Sequence, residues 1–190
     1  TERLLVLDGA KGTEIQRLGI TEDDLRGRHF RDHGQSLAGD NDLLVLTMPD
    51  AVTEIHAGYL AAGADIITTN TFSSTVVAQR EYGLDDPSLI RELNLAGARL
   101  ARKAVDAALR ADGRPRWVAG AIGPTNVTLS LSPKVEDPGY RALAFRQLAE
   151  AYRQQIAGLV EGGADILLLE TIFDTLNAKA AIWAARRHAA

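Results

Sequence analysis

Cysteine is absent from this sequence, which excludes a disulfide scaffold, thiol catalysis and any zinc site built from the chain's own thiolates. Long apolar runs are missing too, since the longest extend only a few residues where a bilayer span needs roughly 20. Charge of one sign is also scarce. Lys and Arg total 21 against 25 Asp and Glu, a formal net charge of −4 with no extended run of either sign, so neither nucleic acid nor a membrane is expected as a partner. Gly9 and Gly12 make no dinucleotide fingerprint and no phosphate-loop pattern occurs, which leaves nucleotide chemistry without support. The opening Thr1-Glu2-Arg3 has no signal-peptide pattern, so the expected compartment is the cytoplasm, and the sequon at Asn126 is read as chance.

What is present is 190 residues that are 46% hydrophobic, enough for a domain with a buried core. Four short apolar runs stand out: Leu4 to Leu7, Ile66 to Thr69, Trp117 to Ile122, and Ile166 to Leu169. Each is too continuous for a half-exposed strand and reads as a strand of a parallel sheet, buried on both faces. Helical periodicity fills the intervals, at about Ala51 to Ala62, Leu89 to Leu109, Tyr140 to Val160, and from Thr175 onward. Thr47, with Asp50 three places on, is the expected N-cap of the first. Residues 19–46 are polar and punctuated by glycine, and read as a long excursion after the first strand. Gly63-Ala64-Asp65 and Gly163-Ala164-Asp165 each precede an apolar strand with a polar cluster at its end. That internal echo indicates alternating α/β structure with a parallel sheet.

In such folds reactive groups gather where strands end, because the loops there converge on one mouth. The four strand ends read Asp8-Gly9-Ala10-Lys11-Gly12-Thr13, Thr69-Asn70-Thr71-Phe72, Gly123-Pro124-Thr125-Asn126 and Glu170-Thr171-Ile172-Phe173-Asp174. Individually, several have plainer readings. Asp8 before Gly9 suits a cap on the next turn, and Asn70 and Asn126 suit loop bonding. Glu170, directly after three leucines, has little choice but the rim, because an unpaired charge in the interior costs several kcal/mol. Together the ends point to a small polar pocket for an amino-acid-like ligand. His29 and His33 have metal-ligand spacing for a helix, but Arg28, Arg31 and Asp32 beside them mark a solvated surface, the reading preferred here. His56 falls among core-facing helix positions and reads as structural.

These residues also carry a likeness. The chain resembles the N-terminal homocysteine-binding (βα)8 barrel of cobalamin-dependent methionine synthases (5-methyltetrahydrofolate-homocysteine methyltransferases). The matching stretches are Asp8-Gly9-Ala10 with Gly12-Thr13, Leu25-Arg26-Gly27, Asn41-Asp42-Leu43-Leu44-Val45-Leu46-Thr47, Ala62-Gly63-Ala64-Asp65 with Thr69-Asn70-Thr71-Phe72, Gly123-Pro124-Thr125-Asn126, and the run from Glu170 to Lys179. Asp-Gly-Ala recurs across homocysteine methyltransferases at large, whereas the Asn41 and Glu170 runs are specific to methionine synthases.

The resemblance implies a TIM-type barrel of which residues 1–190 form the N-terminal half, a single-domain fragment of about four βα units. It implies a methyltransferase of methionine biosynthesis, in which homocysteine bound to zinc through its sulfur takes a methyl group from methylcobalamin, itself recharged by 5-methyltetrahydrofolate. Substrate contacts fall on Asp8, Gly9 and Ala10, and on Glu170 with Thr171, with Asn70 and Asn126 in support. The three zinc-ligating cysteines are expected beyond residue 190, so no catalytic or metal residue is assigned here and the fragment alone is expected to bind neither cofactor nor to be active. Its expected partners are homocysteine, the remaining barrel strands, and the folate- and cobalamin-binding domains. A methyltransferase using betaine or S-methylmethionine, and a non-catalytic truncated barrel acting as a binding module, are the alternatives. Position 11 departs from the family, being Lys where an apolar residue, often Met, is usual.

Overall fold

Strands and helices alternate through residues 3–188, the part of the chain that the computed structural model describes. Three strands, β1 (Ile66–Thr68), β2 (Trp117–Ile122) and β3 (Ile166–Leu169), form a parallel sheet in that order. Ile66 lies opposite Trp117, and Ala119 opposite Ile166. The helices are α1 (Lys11–Arg17), α2 (Glu22–Arg26), α3 (Leu44–Thr47), α4 (Pro49–Ala61), α5 (Val76–Gln79), α6 (Pro87–Asp112), α7 (Phe145–Glu161) and α8 (Thr175–His188).

The expected first strand does not form as one. Leu7 makes a single parallel bridge to Ile66, the amides of Asp65 and Ile66 donate to the Val6 carbonyl, and the Asp8 amide donates to Ile66. The segment therefore runs beside β1, but Leu4, at 91% exposure, and its three neighbours are not buried on either face. One continuous ladder needs successive paired residues, and here pairing is confined to Val6–Asp8, the end nearest the site. The described residues thus show three strands, not four, and an α/β unit rather than an established half barrel.

Local chemistry accounts for the helices. Asp86 caps α6 by accepting from the Ser88 and Leu89 amides ahead of Pro87, and Gly113 ends it at φ 71°, the left-handed conformation that glycine adopts without cost. Pro49 opens α4 without a side-chain cap, and the Thr47 hydroxyl instead donates back to Leu43, so the expected cap is replaced by proline at the first helical position. α6 and α7 approach closely through glycine. A β-carbon at Gly162 would lie 2.5 Å from that of Ala98, so any larger residue would push the helices apart.

Residues 19–46 prove to be more than an excursion. Leu25, Phe30, Leu37, Leu43, Leu44 and Val45 are buried in a cluster with Ile90 and Leu93 of α6, each worth roughly 1.5–3 kcal/mol of burial. This covers the end of the sheet where the polar loops emerge. A second cluster joins Ile122 to Leu148, Tyr152 and Ile156 of α7 and to Ala180, Ala181 and Ala184 of α8.

The repeated Gly-Ala-Asp is a structural clamp at the opposite, N-terminal end of the strands. Asp65 accepts from the Val6 amide at 3.0 Å and from Arg3, while Asp165 accepts from the Val118 amide at 2.8 Å and from Arg102. In each case one carboxylate ties a strand to its preceding neighbour.

Candidate amino-acid-binding site

At the C-terminal ends of the strands lies a cavity of about 360 Å³. Gly9, Ala10, Lys11, Thr68, Asn70 and Glu170 line one part of it, and Asp40, Asn41, Asp42 and Tyr82 another. It brings together groups from the segment after Leu7, from the end of β1 and from the end of β3.

Asp8 sits beneath this surface rather than on it. Its side chain is 1% exposed and pairs at 2.7 Å with the Nζ of Lys11. It also accepts from the Thr68 amide at 2.8 Å and from the Thr68 hydroxyl at 3.1 Å. The Lys11 ammonium contacts the Thr68 hydroxyl as well. Lys11 faces the cavity where Asp8 does not. Burial holds the Lys11 pKa below its usual value, opposed by Asp8 and Glu170, whereas burial raises that of Glu170 against the pull of Lys11.

Asn70 is buried and donates to the Asn41 carbonyl at 2.7 Å while lining the cavity. Asn126 is exposed and reaches Glu81 at 3.4 Å, outside the lining. Thr171 is exposed and also outside it, yet it alone among the described non-glycine residues has positive φ, at 58°. For a β-branched residue this conformation is strained, and such strain collects at functional positions. His29 lies in a turn and His33 in irregular chain just after it, so neither is on a helix, and a His33 ring nitrogen meets the Tyr82 carbonyl at 2.7 Å. His56 is fully buried with neither ring nitrogen bonded, and burial lowers its pKa to about 3.

Sequence reasoning passed over Asp40, Asp42 and Thr68. Asp42 accepts from the Ser73 amide and the Ser74 hydroxyl, both at 2.7 Å, so it anchors the loop after β1. Asp40 accepts from Gln79 at 3.0 Å through one oxygen, and its other oxygen is buried without a partner. Burial raises Asp40 to about 6 and, with Asp40 adding repulsion, Asp42 to about 7. Two neighbouring acids in the sequence Asp40-Asn41-Asp42 were the available signal.

The zinc that the resemblance implies finds no fit in these residues. The chain has no cysteine, and among the described residues no group of three or more His, Cys, Asp or Glu is placed to hold a metal ion. No helix among them is long and apolar enough to cross a membrane.

Comparison with known proteins matches this geometry to a family. Residues 5–189 match the homocysteine S-methyltransferase family. The homocysteine methyltransferase MmuM from Escherichia coli, in its metallated form, superposes with a TM-score of 0.75 at 24% identity, over 98% of this chain and 60% of that one. Its oxidized form gives 0.74 at 25% identity, over 97% and 59%. The chain therefore spans about three fifths of the solved proteins it resembles, and its sheet and helices correspond to part of their fold. With nearly its whole length matched, this chain belongs to the homocysteine S-methyltransferase family.

Proposed function

We propose that this chain forms the amino-acid end of a homocysteine site in a homocysteine S-methyltransferase. The observation that carries the reading is the meeting of the Gly9-Ala10 backbone and the Glu170 carboxylate in one cavity with Lys11 and Asn70. An amino acid needs an acceptor for its ammonium and donors for its carboxylate, and charge-assisted hydrogen bonds are the strong ones. Glu170 supplies the first, while backbone amides near Gly9 and Ala10, with Asn70 and Thr171 holding the surrounding loops, serve the second. Asn126 takes a loop-anchoring part. A methyl acceptor must present its sulfur as the thiolate, and no residue of this chain is assigned to that activation. The protein is proposed to work in the cytoplasm.

Two methyl donors compete. Methylcobalamin, recharged by 5-methyltetrahydrofolate, is favoured by the runs at Asn41 to Thr47 and Glu170 to Lys179. A cobalamin-independent donor such as S-methylmethionine or betaine is the alternative, and the likeness to MmuM, a homocysteine methyltransferase, is equally consistent with it. Calorimetry of homocysteine with the intact protein tests the site itself. Glu170→Ala should weaken binding at least about tenfold, the scale of one lost charged contact, and an unchanged affinity would refute the assignment. Product formation with methylcobalamin against S-methylmethionine or betaine decides the donor.

A further inference from the structure

Lys11 closes its ion pair with Asp8, beneath the cavity, and not with Glu170, although Lys11 and Glu170 both line the cavity. The contacts around that pair fix the lysine from below. One Asp8 oxygen accepts from the Lys11 Nζ at 2.7 Å and from the Thr68 amide at 2.8 Å, and the other accepts from the Thr68 hydroxyl at 3.1 Å. The Lys11 ammonium also donates to the Thr68 hydroxyl. An ammonium carries three hydrogens, so these two acceptors leave one to spare. Burial holds the Lys11 pKa below its usual value in spite of Asp8 and Glu170, so the pair compensates its charge only in part. The ammonium and carboxylate of an α-amino acid leave the same carbon. A seat for both needs an anion and a cation at one opening that are not already paired with each other, and Glu170 and Lys11 meet that condition.

We propose that Lys11 is a substrate-binding residue that receives the α-carboxylate of the ligand on its remaining ammonium hydrogen, held in place for that contact by Asp8 and Thr68. It adds a charged donor to the backbone amides near Gly9 and Ala10, and a hydrogen bond between two charged groups is stronger than one between neutral groups. The inference rests on the homocysteine reading above and leaves the ligand's ammonium with Glu170. It makes the cavity selective for thiols that carry both charges over thiols that carry the ammonium alone.

The test measures dissociation constants of the intact protein for homocysteine and for 3-mercaptopropylamine, the same thiol amine without its carboxylate. Lys11→Gln removes the cation. Lys11→Gln combined with Asp8→Asn removes both charges of the pair, so that no uncompensated buried carboxylate disturbs folding or repels the ligand. In the double variant homocysteine should bind at least about tenfold more weakly, equivalent to about 1.4 kcal/mol, while 3-mercaptopropylamine changes by less than about threefold. The single variant should weaken homocysteine at least as much, because Asp8 then stands unscreened near the carboxylate. An unchanged homocysteine affinity in both variants, or an equal loss for the two thiols, would overturn the role of Lys11 and leave the Glu170 assignment standing. A wild type that binds homocysteine no better than Glu170→Ala does would instead refute the homocysteine reading itself.

Discussion

Asp40 shows how a single buried carboxyl shapes the cavity wall. Burial, with one oxygen left unpaired, disfavours its charged form and outweighs the bond from Gln79, so its pKa stands at about 6, against about 3.9 in an unfolded chain. The folded state consequently holds its proton more tightly than the unfolded state. The associated stability is present in full below about pH 4 and is lost as pH rises through about 6. Asp40→Asn, which carries no charge, should melt higher than the wild type at pH 8, by roughly 1–3 kcal/mol, with the gap closing by pH 4. Thermal unfolding across that range checks this, and a gap independent of pH would contradict it. Neither this acid nor the burial of Asp8 was legible in the sequence, because both depend on residues 19–46 folding over the sheet end. Glycines and charges there mask the spaced apolar residues Leu25, Phe30, Leu37 and Leu43. Glu170 was legible, because three leucines before it leave only the rim.

Among the elements, the four long helices were read well, while the short helices α1, α2, α3 and α5 were missed and the first strand was read poorly. Apolar periodicity marks α4, α6, α7 and α8, with boundaries moved by Pro49, Pro87 and the caps. An apolar run such as Leu4 to Leu7 specifies suitability for a strand, but whether it pairs depends on its neighbours. Here the neighbour is β1, and Asp65 secures the junction by gripping Arg3 and the Val6 amide. Those contacts hold the Asp65 carboxyl well below the usual range. Asp65→Asn should accelerate hydrogen exchange at Asp8, whose amide donates to Ile66, by roughly tenfold through local opening, with α6 and α7 unaffected. Uniform acceleration across the protein, or none at Asp8, would contradict the clamp. The run from Glu170 to Lys179 likewise has a structural share. Asp174 accepts from the Ser130 amide and hydroxyl, and Asn177 from the Leu129 amide, which fastens the loop after β2 to α8.

For the molecule as a whole, parallel strands bring polar ends from distant parts of the chain to one opening, as parallel α/β folds do in general. The sequence echo between Gly63-Ala64-Asp65 and Gly163-Ala164-Asp165 exposed this architecture, and the family match over residues 5–189 agrees with it. Which side chain faces the opening was not legible, since Lys11 and Asp8 are neighbours on one short segment and only packing decides which is covered. The most direct measurement is a crystal structure of the intact protein with homocysteine bound. The account predicts its ammonium against Glu170, with its carboxylate toward Lys11 and the Gly9-Ala10 backbone. Homocysteine seated elsewhere, or in this cavity without touching Glu170, would contradict it.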